Sequence, residues 1–393
     1  MEFQKEEFKY LWKVYAAELL RGVGAFIVPF MIIFLQGKSL TLGQIGILLA
    51  TFSVTNFFLE IPTGIIADRY GRKFSAILGF IVDYLAFFFM IFTHSYFFLL
   101  VLYFFHGVGF TLTSGAYDAW IYEYLKSHKK EKYMHNFYSR KISFSYLGLV
   151  LSGLIGGFLV QYFDLSWLIV LDTAFGVFFL YFVLQIPDPP IFKEKKDSEF
   201  KKLFQIPRYG LLLIKNNRNL LLLVLATMFF TFVGGAKELL SQPVYIALGT
   251  PLSYLGYIAA FSGFLIAIAP NLLLNRSKTH PKRMVILFSV LELLLVLSLF
   301  FTTNYFLFAL LLTLSYLCGT IISPISDTLF QHSLKTEVRA VTRSILEMAI
   351  SFAYFIVFMC FGVLADTFGP QIILALSAFF ILPAIVCYAL IKD

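Results

Sequence analysis

The stretch Glu60–Lys73 reads EIPTGIIADRYGRK. Up to Ala67 it is an apolar helix interrupted only by Pro62 and Gly64. Then Asp68, Arg69, Arg72 and Lys73 put four charges into six residues around Gly71. Long apolar runs flank the cluster on both sides. Charges confined to a short gap between such runs mark a loop between two membrane-crossing helices, and Lys and Arg in it mark the cytoplasmic side.

The whole chain repeats this alternation. Its 393 residues are 59% hydrophobic and only 14% charged. Soluble domains carry about 25% charged residues, so this chain has too little polar surface to cover a water-exposed core. Its apolar runs are about 20 residues or longer, as transmembrane helices require. The alternating segments of about 10 residues that build a membrane β-barrel are missing. The net charge is +8, but the basic residues are scattered through the gaps and form no patch, so no nucleic-acid partner is expected. Cys318, Cys360 and Cys387 lie inside apolar runs and imply neither a disulfide framework nor a metal cluster; no cofactor is expected. The first apolar run, near Tyr10, is too long for a signal peptide and lacks a cleavage site.

Twelve spans fit, near 10–36, 41–66, 73–93, 97–126, 137–163, 165–186, 218–247, 252–274, 283–302, 304–333, 338–364 and 370–391. The longest gap, Pro187–Asn217, is rich in Pro and Lys and divides the spans six and six. Its stretch RYGLLLIK reads as a short surface helix. The expected division is an N-terminal bundle 1–186, a cytoplasmic linker 187–217 and a C-terminal bundle 218–393. Gaps after even-numbered spans hold Arg69, Arg72 and Lys73; Lys126, Lys129, Lys130 and Lys132; the linker lysines; Arg276, Lys278, Lys282 and Arg283; and Lys335 and Arg339. Gaps after odd-numbered spans hold Lys38 alone. Both termini are therefore expected on the cytoplasmic side of the cell membrane.

The two halves resemble each other. Ser114–Lys126 (SGAYDAWIYEYLK) and Ser323–Lys335 (SPISDTLFQHSLK) align at a shift of 209 residues. SLTLGQIG after span 1 matches GTPLSYLG after span 7, and Gly157–Asp164 matches Gly362–Gly369. Asn271–Arg276 is a worn copy of the opening motif, with Asn275 opposite Asp68 and Arg276 opposite Arg69. Four matches in order at nearly constant shift point to internal duplication, the design of many secondary transporters.

With these features the chain resembles the major facilitator superfamily over its full length. The family's loop between spans 2 and 3 reads roughly G-x-x-x-D-R-x-G-R-[KR], matched here by Gly64, Asp68, Arg69, Gly71, Arg72 and Lys73. Gly64 is expected to let span 2 approach a neighbour closely, and Gly71 to permit the turn. Asp68 is expected beside the N-terminus of span 11, where a carboxylate meets free N–H groups, and Arg72 beside Glu123. The resemblance implies that such contacts latch an outward-open state; the plainer alternative is that the basic residues only enforce topology. In span 5, Gly148, Ser152, Gly153, Gly156 and Gly157 resemble the glycine motif of drug/proton antiporters, with Ser152 and Gly153 departing from it; ordinary packing glycines would read the same. The arginine that antiporters carry in span 4 is replaced by Tyr103, which argues against antiport.

Ionisable residues inside spans are functional candidates by default. Glu18 and Arg21 are three apart in span 1, and Arg343 and Glu347 four apart in span 11, so each pair can bridge on one helix face. Asp118 and Asp327 are repeat mates in spans 4 and 10. Lys237 and Glu238 lie in span 7. Asp83 and Glu292, mates in spans 3 and 9, are expected to be structural. The family fold puts spans 1, 4, 7 and 10 around a central cavity, which ranks Glu18, Arg21, Asp118 and Glu347 first as substrate or proton residues. Asp118 alternatively joins a cytoplasmic gate with Arg140 and Arg72. His106 is expected to be a packed core residue. Tyr117, Trp120, Tyr122 and Tyr124 form either an interfacial belt or an aromatic cavity wall.

The expectation is thus an all-α membrane protein of twelve transmembrane helices in two pseudo-symmetric six-helix bundles, monomeric in the lipid bilayer, moving a small-molecule substrate by alternating access. Proton-coupled efflux of an amphipathic compound leads. A facilitator or importer of a small polar solute is the alternative, and a transport-dead receptor or lipid-handling protein a third reading. No GxxxxGK[ST] motif is present for an ATP-driven pump, and no exposed nucleophile–base pattern for an enzyme.

Overall fold

The computed structural model describes residues 5–189, 212–277, 280–332 and 339–391, and among them the secondary structure is helical. Eleven helices there are long and apolar enough to cross a membrane. The expected span 8 is Leu252–Ser277, whose apolar part, Leu252–Ile268, is shorter. The surfaces that face away from the core are themselves apolar: Phe92, Phe97 and Phe301 are 68%, 73% and 79% exposed. In water that would be an aggregation surface; in a bilayer it is the lipid-facing one.

Three spans are broken, which the sequence did not announce. Span 1 is Lys5–Val23, a 3-10 turn Val28–Phe30, and Met31–Gln36. Span 4 is Tyr96–Thr113 followed by Ala116–Ser127. Span 12 is Pro370–Leu376, a 3-10 turn Ser377–Phe380, and Ile381–Leu390. The remaining spans are Leu42–Tyr70, Arg72–Met90, Met134–Leu159, Leu165–Leu184, Arg218–Ala247, Pro281–Ser298, Tyr305–His332 and Arg339–Phe368. In span 4 the break is at Gly115, whose φ of +69° suits glycine. The amide of Ala116 turns to Ser114 O, and the Leu112 carbonyl it would have met accepts from Ser75 Oγ at 2.8 Å.

Contacts gather the chain into two compact units. One comprises Met1–Met31, Phe58–Glu199 and Leu252–Phe264; the other Ile32–Phe57, Phe200–Pro251 and Leu265–Asp393. The first is built on a core that includes Tyr15, Trp120, Phe137 and Phe179. Tyr117, Trp120 and Tyr124 belong to this core, and only Tyr122 of the four aromatic residues in span 4 is exposed. Most of that cluster is therefore neither a belt nor a cavity wall. The second unit is built on Leu220, Leu223, Ile321, Ile325 and Tyr388, among others.

Glycines set the closest approaches. In the first unit span 5 presents two faces. A Cβ on Gly148 would sit 2.6 Å from the Gly22 Cα of span 1, and Gly156 faces Phe26 and Phe30. A Cβ on Gly153 would sit 2.7 Å from Gly256 O, and one on Gly157 2.6 Å from Ser253 O, both in span 8. In the second unit a Cβ on Gly46 would lie 2.1 Å from Phe358 O, and one on Gly362 2.4 Å from Leu42 O. Small residues permit this backbone-to-backbone packing where lipid offers no hydrophobic drive between helices. Gly64 does not share in it among the described residues: no described atom lies within 4 Å of its would-be Cβ.

Gly157→Leu and Gly46→Leu should each lower the melting temperature in detergent, by a cost of about 1–3 kcal/mol for overpacking. Gly64→Leu should leave it unchanged. Equal melting for all three variants in a fluorescence-detected thermal scan would contradict these crossings.

Candidate functional site

Gly71 turns the loop between spans 2 and 3 with a φ of +105°. Arg72 reaches Glu123 at 3.2 Å and Asp68 at 3.8 Å, so the expected Arg72–Glu123 pair is present. Lys73 donates to the carbonyls of Leu184 (3.3 Å) and Ile186 (2.7 Å) at the end of span 6, where a cation meets free carbonyls and the negative end of a helix dipole. Arg69 lies over the Tyr70 ring. At the expected seat of Asp68, the start of span 11, the side chains are not described, and Lys335 and most of the linker fall outside the described residues. The side chains of the worn copy Asn271–Arg276 are likewise not described.

The core of the first unit holds an acid–base group in spans 1, 4 and 5. Glu18 is fully buried and accepts from Arg21 at 2.8 Å and from Ser145 Oγ at 3.0 Å. Arg21 keeps 41% of its side chain exposed. Tyr117 and Tyr84 lie within electrostatic reach of both. Asp118 is bonded to Lys141 of span 5, whose ammonium also stands over the Tyr117 ring at 5.2 Å. The expected partner Arg140 faces elsewhere. It meets the fully buried Glu7 at 2.7 Å, and Glu7 also accepts from Tyr15 (2.7 Å) and Asn136 (3.0 Å). The three gate candidates thus meet different partners here: Asp118 takes Lys141, Arg140 takes Glu7 and Arg72 takes Glu123. One position along a helix turns the side chain by about 100°, and that separates Lys141 from Arg140.

Three further features were not singled out from the sequence. Glu7 lies in the mixed-charge stretch MEFQKEEFK ahead of the first apolar run. Lys130, in the turn after span 4, donates to Glu6 at 3.0 Å, and that hydrogen bond holds its ammonium above the ordinary lysine range. Asp172, in span 6, accepts the amide of Phe26 at 2.7 Å and that of Ile27, so it caps the break in span 1. An acid inside the apolar run LIVLDTAF was the available signal. Asp83 is hydrogen-bonded to His106, so His106 links spans 3 and 4 and is not simply a packed residue.

In the second unit Arg343 bridges Glu347 at 2.6 Å, as expected from their spacing, and Asp327 at 2.8 Å. All three side chains are 41–47% exposed. Lys237 and Glu292 form a buried pair at 2.5 Å, each 4% exposed. Asp366 accepts the amides of Leu42 (2.9 Å) and Gly43 (2.8 Å) at the start of span 2. Thr41 and Gln44 cap each other's amides there, at 3.1 and 3.2 Å.

A family model described as the Major Facilitator Superfamily matches residues 14–277. The chain belongs to that superfamily. It is 23% identical over 385 residues to the uncharacterized MFS-type transporter YxaM of Bacillus subtilis, covering 96% of this chain and 94% of that one. It is 24% identical over 389 residues to an uncharacterized MFS-type transporter of Methanocaldococcus jannaschii, covering 94% and 95%. Among solved structures it is similar to the nucleoside transporter NupG (TM-score 0.76, 14% identity, 99% and 100% of the two chains). It is also similar to a D-xylose–proton symporter (TM-score 0.72, 14% identity, 95% and 97%). A bacterial homologue of the lysosomal transporter Spinster, inward-facing and occupied, gives TM-score 0.77 at 16% identity over 99% and 97%. These likenesses establish the superfamily's fold for this multi-pass membrane protein. Within that fold the buried charges bind helices of the same unit to one another, and Arg21 combines a buried acid partner with an open side.

Removing one member of the Glu7–Arg140 pair strands a buried charge. Glu7→Gln should therefore destabilise the protein by about 3–5 kcal/mol, while the double variant Glu7→Leu/Arg140→Leu recovers most of the loss. Detergent denaturation of both variants checks this; a double variant no better than the single one would show the pair is not the cause.

Proposed function

We propose that this superfamily member is a secondary transporter moving a small polar solute by alternating access, as a symporter or facilitator. The observation that carries this reading is Arg21. It lies in the middle of an apolar span, is anchored by the fully buried Glu18, and still has 41% of its side chain open. A charge at that depth cannot face hydrocarbon, so its open side faces a water-filled path. Tyr84 and Ser145, both part-exposed, stand around the same pair and add hydroxyls suited to a polyhydroxylated or amide-bearing solute. Asp327, Arg343 and Glu347 supply a second open polar group. The similarity in fold to a nucleoside transporter and a pentose–proton symporter is consistent with such a solute.

The drug-efflux reading loses its main support. The span 5 glycines each have a packing partner in span 1 or span 8, which accounts for the motif without antiport. Proton coupling, both termini in the cytoplasm and the cell membrane as location belong to this proposal. So does the latch role of the loop: its Arg72–Glu123 pair is the contact that opening and closing would make and break.

Purified protein in liposomes should exchange radiolabelled uridine or D-xylose across the membrane with no ion gradient. Arg21→Met should abolish the exchange, and Arg21→Lys should keep part of it. If polar solutes fail to exchange and a lipophilic cation moves instead, the efflux reading replaces this one.

A further inference from the structure

Span 1 is longer than a bilayer needs. Counted with its break it runs Glu6–Gln36, 31 residues, which is about 46 Å of helix against a hydrocarbon core of about 30 Å. Its first turns lie level with an end of span 6: Trp12 meets the Phe182 ring edge-on at 6.0 Å, just before that helix stops at Leu184. These turns carry two neighbouring stripes. Phe8 and Trp12 are 49% and 38% exposed. Lys9 and Lys13 continue the line of Glu6 along the helix; Lys9 is exposed and Lys13 half-buried, its Nζ 5.8 Å from the Trp12 ring centroid. Beside the Glu6 line lies the turn between spans 4 and 5. Lys130 donates to Glu6 and stands over the Tyr10 ring at 5.9 Å, and the Tyr10 and His128 rings are 5.3 Å apart. Lys126, Lys129 and Lys132 around that turn are exposed, and Lys132 is within electrostatic reach of Glu6. Lys129 has a φ of +57°, at a helix end where glycine is usual. The neighbouring acids are engaged: Glu6 also accepts from Tyr133, Glu7 meets Arg140 and Glu123 meets Arg72. Glu131 is exposed and joins no ion pair among the described residues.

A cationic face at headgroup depth, edged by exposed aromatic rings, matches one kind of partner. Lysines near a membrane surface attract anionic headgroups, and interfacial rings lie against the first acyl carbons. We propose that this face is a docking surface for an anionic phospholipid. Its phosphate lies between Lys9 and Lys13 of span 1 and Lys129 and Lys132 of the turn, and its chains start along Trp12 and Phe182. A soluble anion would gain nothing from the rings, and a neutral lipid nothing from the lysines. Such a lipid joins span 1 to the turn after span 4, the two elements that the Lys130–Glu6 bond already joins. With both termini in the cytoplasm, as proposed above, the site lies in the leaflet that carries anionic lipid. The inference does not depend on which solute is carried.

The test titrates the full chain in neutral detergent with phosphatidylglycerol, with phosphatidylcholine of the same acyl chains, and with inorganic phosphate. Native mass spectrometry counts bound lipid, and a thermal scan reads stability. Phosphatidylglycerol should bind about tenfold more tightly than phosphatidylcholine or better and raise the melting temperature; inorganic phosphate should not raise it. Lys9→Gln, Lys13→Gln and Lys129→Gln should melt like the parent without lipid, and each should weaken phosphatidylglycerol binding about fivefold. Lys215→Gln, which removes an exposed charge elsewhere, should not weaken it. In liposomes, phosphatidylglycerol brominated on its acyl chains should quench tryptophan fluorescence more than brominated phosphatidylcholine, and Trp12→Phe should abolish that difference. Equal binding of the two lipids, equal weakening by Lys215→Gln and Lys9→Gln, or the same stabilisation by inorganic phosphate would overturn the proposal. If a lysine variant melts lower without lipid, the quenching decides: a difference that persists in Trp12→Phe refutes the site, and its loss supports it.

Discussion

Hydrocarbon offers no hydrogen-bond partner, and the irregular points in the described helices are met by side chains that supply one. Asp172 takes the amides freed where span 1 unwinds. Asp366 takes two amides at the start of span 2, and Thr41 with Gln44 covers the neighbouring ones. Ser75 takes the carbonyl released by the break in span 4, and Lys73 takes those at the end of span 6. Spans 1 and 4, two of the helices that carry the acid–base group of Glu18, Arg21 and Asp118, depend on these polar anchors to depart from regular helix. A break without an anchor would cost several kcal/mol per exposed backbone group.

The same constraint governs the charges. Asp83 and Glu292 occupy equivalent positions 209 residues apart, and each is bonded to a base on a neighbouring span. One partner is His106, a group that is often neutral near pH 7; the other is Lys237, which is charged. Asp118 and Asp327 are likewise 209 residues apart and take Lys141 and Arg343. The duplicated acids keep their positions while the bases come from different spans and chemistries. Each unit therefore stays internally tied by acids at matching positions that take different bases.

The helices, their number class, the charged loop and the local pairs were legible in the sequence. Glu18–Arg21 and Arg343–Glu347 follow from spacing on one helix, where residues three or four apart share a face. Pairs between helices were harder, because they depend on how each helix is rotated and tilted, which composition leaves open. Hence Arg140 was expected with Asp118, and Lys141 is found there. Glu7 carries no such signal in the sequence, because its burial comes from Tyr15, Asn136 and Arg140 on sequence-distant or neighbouring turns. Gly64 read as a packing residue from its motif alone, and a motif does not say which side of the helix has a neighbour.

The glycine crossings extend the internal duplication to packing. Gly157 and Gly362 are mates, as are Gly256 and Gly46. Gly157 lies against the Ser253 carbonyl at the start of span 8, and Gly362 against the Leu42 carbonyl at the start of span 2. Beyond each glycine, four residues on, stands a polar side chain: Gln161 donates to Tyr257 at 3.0 Å, and Asp366 accepts from Leu42 and Gly43. Both joints thus combine bare backbone contact with a small polar clasp. Interlocked side chains would have to repack to separate, and backbone surfaces do not. On the transport reading, joints of this kind would let the helices they join part and meet again without repacking side chains.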